Sequence, residues 1–104
     1  MANWTEEIIQ AVWEKGTKVQ YYDPNVWRKD QCGAWINREH YGRPSSNESH
    51  VSYKWQIDHI TPEAKGGTDS LSNLRPLQWF NNDSRQDERL VKKIVADGNK
   101  NIEL

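Results

Sequence analysis

A single cysteine, Cys32, stands among 104 residues, so the chain cannot close an intramolecular disulfide or build a cysteine-based zinc cluster on its own. Net charge is also missing. Fourteen Lys and Arg against fifteen Asp and Glu leave −1, which excludes a global attraction to polyanions and confines any nucleic-acid contact to a local patch. No run approaches the about 18 apolar residues of a membrane helix, and no basic, apolar, small-residue leader pattern opens the sequence. These absences set the expectation of a soluble, cytoplasmic protein with no membrane partner. Hydrophobic residues are few as well, at 35%, but six Trp and four Tyr supply much of the missing apolar area. The expected core is small and aromatic, inside one domain spanning residues 1–104.

Thr5 to Lys15 sets Ile8, Ile9, Val12 and Trp13 at helical spacing, with Glu6 and Glu7 in the first turn and Gly16 beyond the end. Residues 17–23 alternate weakly, as a strand or an extended segment before Pro24. From Val26 to Ile36 two short apolar pieces flank Asp30 to Gly33, which predicts a hairpin, braced by an Arg28–Asp30 ion pair. Residues 42–50 are polar and turn-forming, hence an exposed loop. Val51 to Ile60 alternates as a strand, with Tyr53, Trp55, Ile57 and His59 on one side and Lys54, Gln56 and Asp58 on the other. Thr61 to Asn73 is a long loop, in which Gly66 and Gly67 are expected to supply positive φ for a reversal. Leu74 to Gln78 predicts a second strand. Asn82 to Val95 predicts a helix with Leu90, Ile94 and Val95 facing inward, ended by Gly98 and followed by a frayed tail over 99–104.

Asp58 and His59 are adjacent at a strand end, so their side chains leave on opposite faces and can take two roles. Phosphodiester hydrolysis needs a general base beside a water and a cation to offset the charge that builds on phosphate. His59, with a metal at Asp58 and Asn82, would supply both. Carboxylate and amide oxygens are hard ligands, which favours magnesium or manganese over zinc. Each residue also has a structural reading: Asp58 as a loop cap, His59 as a core histidine, Asn82 as a helix N-cap. Arg85 and Arg89 fall on one face of the predicted helix with Asn82, where Arg85 could hold the scissile phosphate and Arg89 an adjacent one, or where both are simply solvated.

Taken in order, W-Q-I-D-H-I-T-P from Trp55, K-G-G-T-D-S-L-S-N-L-R-P-L from Lys65 and N-N-D-S-R from Asn81 resemble the HNH endonuclease family, over about a third of the chain. The resemblance implies an α+β protein with a ββα-metal unit in residues 51–96, packed against an N-terminal helix and hairpin in residues 1–50, with 97–104 as a tail. It implies Asp58 and Asn82 as ligands of one divalent cation, His59 as the general base and Asn73 as the asparagine that braces the loop. Arg85 completes the expected catalytic set, and Arg85 and Arg89 the expected nucleic-acid contacts. In-line attack, departure of the 3′ oxygen and a 5′-phosphate product follow from the same resemblance.

One departure from the family stands out. Many members flank the third motif position with paired cysteines that bind a structural zinc, and the corresponding positions here look like Gln78 and Asn81. A structural zinc is therefore not expected. Packing of Trp55, Trp79 and Phe80 against the N-terminal helix and hairpin is expected in its place. The expected function is metal-dependent endonucleolytic hydrolysis of DNA. The near-zero net charge keeps a non-catalytic nucleic-acid-binding or assembly module as the rival, and RNA stays open as substrate, which would make the protein an RNase. No residue pattern speaks to protein partners or to a homodimer.

Overall fold

The computed structural model describes residues 3–86 and 88–104. Helix α1, Glu6–Trp13, begins where Thr5 Oγ1 accepts from the Ile8 amide at 3.2 Å, and it buries Ile9, Val12 and Trp13. Strands β1, Trp27–Lys29, and β2, Trp35–Asn37, form the expected antiparallel hairpin, with Gly33 at φ 89° in its turn. Between Thr17 and Asp23 only an isolated bridge from Thr17 to Lys29 extends this hairpin.

Strand β3, Trp55–His59, runs antiparallel to β4, Leu74–Gln78, with Trp55 opposite Gln78, Asp58 opposite Arg75 and His59 opposite Leu74. The first residues of the expected strand, 51–53, are turns instead. Helix α2, Trp79–Asp83, follows β4 directly and closes a ββα unit. Val12, Trp13, Ile36, Trp55 and Leu74 form the core where this unit meets α1 and the β1–β2 hairpin, and the rings of Trp13 and Trp55 lie 5.3 Å apart.

Four expectations are corrected. The helix expected over Asn82 to Val95 stops at Asp83; Ile94–Asp97 (β5) and Lys100–Glu103 (β6) form an antiparallel hairpin turning through Gly98. Asn81 Oδ1 accepts from the amides of both Lys93 and Ile94, which holds the chain extended there, and β-branched Ile94, Val95 and Ile102 suit a strand. Residues 99–104 are accordingly no frayed tail: Asn101 bonds both the amide and the carbonyl of Trp35. Arg28 and Asp30 do not pair, because the Arg28 guanidinium donates to the carbonyls of Glu14, Gly16 and Pro24. Trp79 and Phe80 lie outside the core and pack on His50, with Phe80 stacked at 3.7 Å.

Gln78 and Asn81, at the positions compared with the zinc cysteines, are fully buried and knit four segments together. Gln78 Oε1 caps α2 by accepting from the amides of Phe80 and Asn81, while its Nε2 donates to the carbonyls of His50 and Ser52. Asp30 takes the amides of Cys32 and Ala34 on one oxygen and the Gln78 amide and Asn81 Nδ2 on the other. Burial pushes the Asp30 carboxyl above its ordinary value, against the pull of those N–H donors. A hydrogen-bonded polar centre thus joins elements that have no sheet in common.

Candidate active site

The site is built on the β3–β4 hairpin and the loop that joins its strands. Asn73 sews the loop's ends together: its backbone carbonyl accepts from Ile60, its Oδ1 accepts from the Thr61 amide at 2.8 Å, and its Nδ2 donates to the carbonyls of Thr61 and Thr68 at 3.1 and 2.8 Å. Gly66 does take positive φ, 90°. Gly67 is corrected, since its backbone is not in that region; it is needed for close approach, because a Cβ there would lie 1.7 Å from the Thr61 carbonyl oxygen.

This bracing delivers Asp69 to His59. The imidazole Nε2 lies 2.8 Å from Asp69 Oδ1, and the His59 side chain is 16% exposed. A carboxylate accepts and does not donate, so the contact puts a proton on Nε2, and in the neutral imidazole Nδ1 then keeps its lone pair. No sequence pattern singles out Asp69. The available signal was a carboxylate in the loop, four residues before Asn73.

Asp58 and His59 do leave β3 on opposite faces. His59 enters an open cleft of about 540 Å³ that it shares with Gln56, Glu63 and Asn82. Asp58 is 5% exposed and lies outside that lining. Its Oδ2 accepts from Arg75 Nε at 2.8 Å and its Oδ1 from Arg85 Nη1 at 2.7 Å. Arg85 also donates to the carbonyls of His59, Ile60 and Glu88, so it straps the segment after α2 onto the end of β3. Because α2 ends at Asp83, Arg85 and Arg89 share no helix face with Asn82; Arg89 is exposed in the segment that follows.

A cation has two candidate donor sets, and the ligand atoms are seen close together in only one of them. Asp58 and Asn82 present hard oxygens, and Asn82 Nδ2 is held by Gln56 Oε1 at 2.8 Å, which leaves the Asn82 carbonyl oxygen as its donor. Each Asp58 oxygen takes one guanidinium N–H and retains a lone pair, so the donor chemistry fits a divalent ion, although two neighbouring positive charges weaken its hold. His59, Glu63 and Asp69 form the second set, with ligand atoms all within 4.8 Å of one another.

Known proteins bear on one part of this arrangement. No curated protein and no solved structure matches the chain. A family model described as HNH endonuclease matches residues 45–79, which covers β3, the loop and β4 and stops three residues before Asn82. The segment that carries Asp58, His59, Asp69 and Asn73 is thus the part of the chain that is similar to the HNH endonuclease family.

Proposed function

We propose that the protein is a divalent-metal-dependent endonuclease that hydrolyses DNA phosphodiester bonds in the His59 cleft. One observation carries the reading: His59, whose Nε2 is held by Asp69, lines the same cleft as Asn82 and sits on a strand pair matched to a nuclease family. His59 Nδ1 takes a proton from water, the water oxygen forms the new bond to phosphorus, and the bond to the 3′ oxygen breaks, leaving a 5′ phosphate. Asn73 keeps the loop, and with it Asp69, in place. Asp58 and Asn82 would hold one magnesium or manganese ion, which when bound offsets the charge that develops on phosphate. Arg85, strapped to Asp58, is the cationic side chain offered to the scissile phosphate, and Arg89, further along the same segment, to an adjacent one.

Cleavage of an end-labelled oligonucleotide under saturating magnesium tests this. His59→Ala should lose at least about a hundredfold in rate while keeping the wild-type melting temperature, and full activity in that variant contradicts the reading. A second placement of the cation has the 4.8 Å grouping of His59, Glu63 and Asp69 in its favour. Asp58→Ala should raise the manganese concentration needed for half-maximal rate more than Glu63→Ala does; the reverse order moves the cation to the second set.

A further inference from the structure

The wall of the cleft that faces His59 comes from outside the matched segment. Trp4 stands just before the cap of α1, and Tyr41 and Arg43 follow the short 3₁₀ turn Arg38–His40. Trp4 and Tyr41 both pack on the core, so their rings are held in place and not draped over the opening. The Trp4 indole lies 5.8 Å from the His59 imidazole, tilted by 44°, and both rings line the same cavity.

Electrostatics make this wall important. The net charge is −1, and cations near the site are already committed: Arg75 and Arg85 to Asp58, Lys15 to the carbonyls of Leu71 and Leu74. Duplex affinity built on many phosphate contacts is thus poorly supplied. Stacking on aromatic rings needs no such excess of charge, and every base has a face to stack. A cleft of about 540 Å³ has the size of a small-ligand pocket and suits one nucleotide better than the breadth of a duplex.

We propose that Trp4 and Tyr41, with Arg43 beside them, seat an unpaired nucleotide next to the scissile phosphate, so that the protein prefers single-stranded DNA over duplex. This rests on the nuclease reading and specifies its substrate. Trp4 is a binding residue in this account, carried by the N-terminal segment and not by the ββα unit.

Fluorescence anisotropy of the full chain in EDTA, with a labelled single-stranded oligonucleotide and the corresponding duplex, tests the proposal without requiring turnover. The single strand should bind at least about tenfold more tightly than the duplex. Trp4→Leu, which keeps an apolar side chain against the core, should weaken single-strand binding by about tenfold, and Trp4→Phe by less. Circular dichroism melts identify a variant that has lost its fold, in which case Tyr41→Leu carries the same comparison. Equal or tighter duplex binding by the wild-type protein, or wild-type single-strand affinity in folded Trp4→Leu, overturns the proposal. Those results would leave His59-dependent cleavage standing, whereas absence of metal-dependent cleavage on either substrate would remove the reading beneath it.

Discussion

Arg85 Nη1 lies 2.7 Å from Asp58 Oδ1, with both side chains largely withdrawn from solvent. A buried guanidinium on a carboxylate proposed as a cation ligand would set fold stability against metal affinity. Arg85→Ala should cost about 3 kcal/mol in urea denaturation, the penalty of breaking a buried, multiply bonded pair. The same variant should bind manganese more tightly in calorimetric titration, because one positive charge has left the Asp58 oxygens. A variant with the wild-type urea midpoint and weaker manganese binding would contradict this opposition.

Asp69 should act through His59. Asp69→Ala should lower kcat by about ten- to a hundredfold with little change in KM, whereas Asp69→Asn, which keeps an oxygen acceptor, should retain more of the rate. Asn73→Ala should act in the same direction by releasing Thr68 and with it Asp69, so the two losses should not add in the double variant. Nitrogen chemical shifts of His59 supply a readout that a merely structural role would not move. The proton should sit on Nε2 in the wild-type protein and distribute over both nitrogens in Asp69→Ala.

The buried amide centre at Gln78 and Asn81 should make the fold independent of zinc. Adding EDTA or zinc should leave the melting temperature unchanged. Asn81→Ala should cost about 3 kcal/mol in urea denaturation, since it strands Asp30, Lys93 and Ile94 groups that Asn81 now satisfies. A melting temperature that falls on EDTA and is restored by zinc but not by magnesium or manganese would mean that a zinc ion, not this network, joins the segments.

Cys32 is 4% exposed, and burial together with the neighbouring Asp30 charge pushes its thiol up to about 11. At pH 8 the folded protein should react with a thiol reagent at least about a hundredfold more slowly than the urea-unfolded chain, which has an ordinary thiol. Equal rates would contradict the burial of the β1–β2 turn.

The parts legible in the sequence are those that local chemistry dictates. Thr5 with Ile8, Ile9, Val12 and Trp13 defined α1; the turn residues Asp30 to Gly33 defined the first hairpin; Leu74 to Gln78 was located to the residue. The segment after Asp83 was misread because Leu90, Ile94 and Val95 fit a helical spacing, while what decides the structure is a long-range bond: the side chain of Asn81 captures the amides of Lys93 and Ile94. Asp30 failed as an ion-pair partner for a similar reason, since its acceptor capacity is filled from residues 32, 34, 78 and 81. At the site, His59, Asn73 and Asn82 could be named from an ordered motif. Asp69 could not, because its importance lies in where the braced loop delivers it.

The central claim is that His59 in this cleft cleaves DNA with the help of a divalent cation. Supercoiled plasmid incubated with the pure protein and magnesium or manganese tests it most directly, because nicked and linear products report activity and strand count together. The account predicts conversion to nicked plasmid by the wild-type protein, abolished by EDTA and by His59→Ala. Conversion that persists undiminished in folded His59→Ala, or no cleavage of either the plasmid or a single-stranded circular DNA by the wild-type protein with either metal, would contradict it.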